Sequence, residues 1–299
     1  MIGRTTIRAL WLLLLLAPLA AVAASHRADP LLIHVHGLSF SFDGQTLLVP
    51  SHAGLAVFRE GSWTENSGFT RDFTGFSVTE RAMYASGHPG TDARRAAYFG
   101  LLKSTDEGKT WQSLGLAGEA DFHLLAAGFR SNAIYVASQF PNSAMPMPGL
   151  YETLDEGKSW GRAAALGLAG EILGLAAHPV EAGTVAVGTD KGLYVSRDAG
   201  ARFRKLNGGQ PVTAAVFDPG GGRIRYVRTL SNELVNLPLK GPGRRTNRLP
   251  GLDGDYVTHL AQNHRDEQAL AFSTRGRSVF LTADGGSTWR QVARGGDLP

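Results

Sequence analysis

Cysteine is absent from the 299 residues, so no disulfide framework holds this chain together. An excess of charge of one sign is lacking too. The chain carries 30 Lys and Arg against 26 Asp and Glu. Arg4 and Arg8 lie in a leader expected to be removed, which leaves 28 basic residues against 26 acidic ones. That balance gives no electrostatic case for a nucleic-acid partner. After the first two dozen residues there is no further apolar run of the roughly 20 residues that a membrane span needs. No span is therefore expected after leader cleavage.

The leader is "MIGRTTIRALWLLLLLAPLAAVAAS". Two arginines precede a short apolar run, and Ala21-Val22-Ala23 supplies the small-residue cleavage pattern. Residues 1–23 read as a signal peptide and 24–30 as a linker. The mature chain is expected to be exported, periplasmic or secreted, and monomeric. Its remaining length suffices for a core that is stable without disulfides.

A repeat dominates the rest of the chain. "GLLKSTDEGKTW" (100–111), "GLYETLDEGKSW" (149–160), "GLYVSRDAGARF" (192–203) and "SVFLTADGGSTW" (278–289) align by eye. Each has an apolar stretch, an Asp, a Gly two residues on, and an aromatic three residues later. The sets are Asp106/Gly108/Trp111, Asp155/Gly157/Trp160, Asp198/Gly200/Phe203 and Asp284/Gly286/Trp289. Weaker copies end at Trp63 and near Arg245. A period of about 45 residues is that of propeller blades. The Asp carboxylate suits a tight turn that offers backbone N–H groups. The Gly allows a backbone conformation that a Cβ opposes, and the aromatic ring fills space between sheets. These residues read as structural, because a catalytic Asp has no reason to recur in every copy.

The pattern resembles the Asp-box, or BNR, repeat S-x-D-x-G-x-T-W. The resemblance implies a β-propeller and says little about activity. Similar repeats occur in sialidases and other glycosidases, in sortilin-type peptide receptors and in photosystem II assembly factors. With two further strands between successive boxes, the chain is expected to be all-β. It should form one six-bladed propeller of four-stranded antiparallel blades over residues 31–297. The ring should close by blade packing, without a blade shared by the two ends. The resemblance also implies that the boxes mark one face of the disc, so the opposite face is the open one.

Aligning the innermost strands on Leu38, Phe76, Leu125, Leu175, Ala215 and Leu260 sets His36, Thr74 and His123 two residues earlier. His34, Asp72, Asp121 and Glu171 fall four residues earlier. Residues two apart in a strand share a face, so His34 and His36 should point the same way. His52 and His88 begin loops on the same side. His34, His36, His52, His88 and His123 are thus expected at one mouth with Asp72, Asp121 and Glu171. His259 falls out of phase with that ring, and His178 and His264 fall in turns of the other face.

Imidazoles with carboxylates are ligands for zinc or copper. Met145 and Met147, in a Pro-rich loop of blade 3, would favour copper if they reached the site. A metal-free reading is a small polar ligand or an exported protein partner held in the funnel. A third reading is a glycoside hydrolase using Asp72, Asp121 or Glu171 as its carboxyl pair. Sialidase activity is not expected, because the Arg-Ile-Pro motif of sialidases is missing and no arginine stands at the aligned inner positions. A basic stretch in blade 5 (Arg223, Arg225, Arg228, Lys240, Arg244, Arg245 and Arg248) reads as a solvated face or a docking edge.

Overall fold

The computed structural model describes residues 32–52, 54–65, 72–90 and 97–298. The expected signal peptide and the linker lie outside the described residues. The described chain forms six four-stranded sheets, each a meander of neighbouring antiparallel strands. Blade 1 holds β1 (Ser39–Phe40), β2 (Leu47–Ser51), β3 (Gly54–Arg59) and β4 (Ser62–Glu65). Blade 2 holds β5 (Asp72–Val78), β6 (Met83–His88), β7 (Leu101–Ser104) and β8 (Gln112–Gly115). Blade 3 holds β9 (Leu125–Ala127), β10 (Ile134–Ser138), β11 (Gly149–Thr153) and β12 (Gly161–Arg162). Blade 4 holds β13 (Ile172–Ala177), β14 (Val185–Thr189), β15 (Gly192–Ser196) and β16 (Arg204–Gly208). Blade 5 holds β17 (Ala215–Phe217), β18 (Arg223–Arg228), β19 (Glu233–Pro238) and β20 (Arg245–Arg248). Blade 6 holds β21 (Val257–Gln262), β22 (Leu270–Thr274), β23 (Val279–Thr282) and β24 (Arg290–Ala293).

The innermost strands touch in the order β1, β5, β9, β13, β17, β21, and β21 returns to β1. The six-bladed ring is therefore the expected one, and among the described residues no sheet combines strands of the first and last blades. Leu32, Leu38, Val49 and Phe58 of the first blade region pack with Val279, Val292 and Ala293 of the last. The Trp63 indole N–H donates to the Val292 carbonyl at 2.7 Å.

Strand position decides composition. Second strands such as Val185–Thr189 are buried on both faces and read as apolar runs. Outermost strands such as Ser62–Glu65 are polar and mostly exposed. The four Asp turns share one hydrogen-bond set. Each Asp accepts from the hydroxyl two residues before it, at 2.8 Å from Ser104, Thr153 and Ser196 and 2.6 Å from Thr282. The same hydroxyl accepts the N–H of Gly108, Gly157, Gly200 or Gly286. Those glycines have φ of 82° to 89°, the left-handed region where a Cβ is disfavoured. Hydrogen bonds from the Thr110 and Ser159 side chains hold Asp106 and Asp155 down at about 2.

The aromatic that follows each turn packs inward. Trp111 lies on Phe73, Trp160 on Phe122 and Trp289 on Phe272. Phe203 of blade 4, the one copy without Trp, is a buried core side chain among Leu150, Ala163 and Tyr194. Its backbone N–H donates to the Leu166 carbonyl at 2.7 Å, which ties the turn of blade 4 to blade 3. Phe203 therefore packs between those blades.

The far end of the channel is plugged from opposite blades. The Phe129 ring from blade 3 stacks on His264 from blade 6 with centroids 4.1 Å apart. The mouth on the other face is the open end. On blade 5, Arg225 is buried, bonded to Gln262 and 3.5 Å from Glu267, and Arg228 pairs with Glu233 at 2.8 Å. The other five basic residues of that stretch are exposed.

Candidate metal centre

Five histidines and two aspartates meet at the open mouth, on blades 1 to 3. The segment before β1 is pinned to the end of β2. His36 N–H donates to the Pro50 carbonyl at 3.0 Å, and His52 N–H to the Ile33 carbonyl at 2.9 Å. Asp72 opens β5 and stands opposite His88, which closes β6. Asp121 and His123 lead into β9, and Asp121 accepts a hydrogen bond from the Thr74 hydroxyl.

The strand geometry expected of His34 and His36 is corrected by the structure. The strand begins only at Ser39, and His34 has φ of 51°. The two rings meet through a third. His52 lies near-parallel to both, with centroids 4.6 Å from His34 and 4.7 Å from His36.

Asp72 is the hub. His36 Nε2 lies 3.7 Å from Oδ1, His52 Nε2 3.3 Å from Oδ2, and His88 Nδ1 3.7 Å from Oδ2. The side chain of Asp72 is 1% exposed. Both its oxygens, His36 Nε2 and His88 Nδ1 are buried without a hydrogen-bond partner. Buried polar atoms are normally satisfied, and a buried carboxylate without donors is costly. These separations exceed the 2.7–3.2 Å of a typical N–H···O hydrogen bond. The His52 separation equals the ligand edge around a tetrahedral ion, about 3.3 Å for bonds of ~2.05 Å, and the other two are about 0.4 Å longer. The donor atoms of His36, His52 and Asp72 all lie within 4.8 Å of one another.

Charge is disfavoured on this trio. Burial pushes Asp72 up, although His52 and His88 pull the other way. Burial likewise lowers His52, and it takes His36 down to about 3 with help from the neighbouring His52, His123 and His259. Neutral imidazoles beside a carboxyl with no donor form a set that a cation completes. Asp121 behaves differently. Its burial is outweighed by hydrogen bonds from His123 and Thr74, which hold it below the usual range, and His123 is raised in return. His123 Nε2 is 3.3 Å and His88 Nε2 3.8 Å from Asp121 Oδ2. One imidazole, His88, thus links the two aspartates.

Glu171 does not join the cluster. It is exposed, and its backbone N–H donates to Asp190 Oδ1 at 2.8 Å, which ties it to the rim of blade 4. Met145 is fully buried among Phe122, Ile134 and Tyr151, and Met147 is exposed. The thioether contribution expected from that loop is therefore absent at the cluster, because the Pro-rich turn folds Met145 into the core. His259, read from the sequence as out of phase, lines the mouth beside His36 and His123, its Nδ1 3.0 Å from Ser273 Oγ. A register shift between Val257 and His259 explains the difference. Matching shifts occur at Phe73/Gly75 and Ile172/Gly174, so glycine at the homologous inner position was the available signal.

No protein-family model matches the chain. Over 84 residues, 28% of its length, it is 33% identical to a xyloglucanase of Hypocrea jecorina (strain QM6a), of which that stretch covers 9%. Its fold is similar to that of a GH74 enzyme of Niastella koreensis, with a TM-score of 0.59 and 15% identity over 86% of this chain and 45% of that one. A GH74 xyloglucanase of Xanthomonas campestris gives 0.52 and 18% over the same shares. A chain of a nidogen/laminin complex gives 0.61 and 12% over 85% of this chain and 93% of that one. This chain therefore spans under half of either GH74 enzyme and under a tenth of the curated relative. What it shares with the solved structures is the propeller fold. Among the described residues no helix is long and apolar enough to cross a membrane.

Proposed function

We propose that this chain is an exported Asp-box propeller that holds a divalent first-row metal ion, zinc or copper, at its open mouth. His36, His52 and Asp72 are the ligands, and His88 Nδ1 stands 3.7 Å from Asp72 Oδ2. Asp121 acts from behind, orienting His88 and His123 as carboxylates do for metal-bound imidazoles. The observation that carries this reading is the buried Asp72 carboxyl, ringed by three imidazole nitrogens at 3.3–3.7 Å and bonded to none. Nitrogen and oxygen donors suit zinc and copper(II). Copper(I) loses support with the burial of Met145.

The second reading is a glycoside hydrolase. It is favoured by the local similarity to a xyloglucanase and by two aspartates shifted in opposite directions, the pattern of an acid and a base. Against it, both carboxyls lie behind the histidines, and Asp72 has no surface to offer a sugar. Zinc titration of EDTA-stripped protein separates the two. The metal reading expects one equivalent bound tightly, lost in a His36→Ala/His52→Ala variant. Zinc indifference, together with aryl-glycoside turnover abolished by Asp121→Asn, would replace it with the hydrolase.

A further inference from the structure

His36 stands at one side of the mouth, and blade 6, the neighbour of blade 1 around the ring, forms another. A cavity of about 400 Å³ lies between them, within the range of small-molecule sites. His34, His36 and His123 line one side, and Tyr256, Arg275 and Arg277 line the other.

The two arginines sit in the tight turn after β22. Arg277 N–H donates to the Thr274 carbonyl at 2.9 Å, and Ser278 N–H to the Thr274 hydroxyl at 3.1 Å. Arg277 is half-buried with φ of 65°, an uncommon conformation for a long side chain. Its guanidinium lies against Gly296, where an added Cβ would stand 3.1 Å from Nη1. Among the described residues neither guanidinium has a carboxylate within 4.0 Å or a hydrogen bond. The adjacent acid, Asp255, is engaged by the backbone N–H groups of Tyr256 and Gly276. Asp72 and Asp121 face the histidines of blades 1 to 3 and do not line this cavity. The two guanidiniums are left with no carboxylate among the side chains of the cavity, which is walled otherwise by imidazoles, hydroxyls and the apolar Val35 and Leu173.

We infer that this cavity binds a small oxyanion, a ligand bearing a carboxylate or phosphate group. Arg275 and Arg277 grip its charge while its other end faces His36. Guanidinium forks match both groups in geometry. The ligand's reach toward the ion rests on the metal reading, whereas the arginine wall does not.

Calorimetric titration of the mature chain with inorganic phosphate, with succinate and with glycerol as a neutral control tests this. Each titration is run on zinc-loaded and on EDTA-stripped protein. The zinc-loaded chain should bind at least one of the anions saturably and ignore glycerol. Arg275→Gln/Arg277→Gln should weaken anion binding about tenfold or more, the scale of lost charged hydrogen bonds. Zinc stoichiometry and melting temperature should stay unchanged in that variant. Absence of anion binding, or binding that survives the double variant, overturns the inference. If the wild type takes up no zinc, the metal reading fails alone. The stripped protein then decides the anion site by whether its binding still depends on the two arginines.

Discussion

Replacing Asp72 with asparagine should move stability in opposite directions with and without metal. In the metal-free chain both Asp72 oxygens are buried and without a hydrogen bond, and the carboxyl is pushed up by its burial. An unsatisfied buried group costs about 1–3 kcal/mol. Asparagine has nearly the same shape, carries no charge, and its amide N–H is placed to donate to His52 Nε2, 3.3 Å from Oδ2 at present. Metal-free Asp72→Asn should therefore equal the wild type in stability or exceed it by about 1–3 kcal/mol. With zinc at a hundredfold over its Kd, the wild type should gain about 2.7 kcal/mol. On the scale of a domain this size, that is a rise of roughly 5–10 °C in Tm. The variant should lose nearly all of that gain. Thermal unfolding with EDTA and with zinc at pH 7.5 reads both arms. A metal-free variant destabilised by more than about 1 kcal/mol would mean that Asp72 works as an ordinary ion-pair partner. A zinc response equal to that of the wild type would refute the ligand assignment.

Trp111→Ala removes the ring that packs on Phe73 at 4.9 Å, and urea unfolding should show a loss of about 3 kcal/mol or more. Gly75→Ala would place a Cβ 2.0 Å from the Phe122 carbonyl oxygen, so the backbone between Asp121 and His123 must shift. Metal affinity and stability should fall together, the latter by about 1–3 kcal/mol, measured by zinc titration and urea midpoint. His36 is held at about 3 against an ordinary 6.5. Between those values the unfolded chain binds a proton that the folded chain refuses. Metal-free stability is therefore intact above 6.5 and is lost as the pH falls toward 3. In His36→Gln the slope of urea midpoint against pH over that window should flatten; an unchanged slope would count against it.

The fold was legible because its punctuation is local. Ser104, Asp106 and Gly108 build their turn from neighbours in sequence, so four such turns reveal blade spacing without knowledge of long-range contacts. His36, Asp72, His88, Asp121 and His123 fall at one mouth as counted, although only Asp72 and His88 lie within strands. Counting failed at His259 and at His34. The register shift before His259 turns that ring into the mouth, and the left-handed φ at His34 replaces a shared strand face with a stack through His52. Glu171 fell in phase but belongs to blade 4, where a hydrogen bond to Asp190 holds its backbone away from the aspartates of blades 2 and 3. Whether Met145 reaches the mouth was left open, because loop composition does not say which side of a turn faces the core.

Crystals of the native protein, measured on both sides of the zinc and copper absorption edges, test the central claim most directly. The account predicts one anomalous peak at ~2.0–2.2 Å from His36 Nε2, His52 Nε2 and an oxygen of Asp72. Fully ordered side chains in that arrangement with no peak between them, or a peak bound elsewhere on the chain, would contradict it.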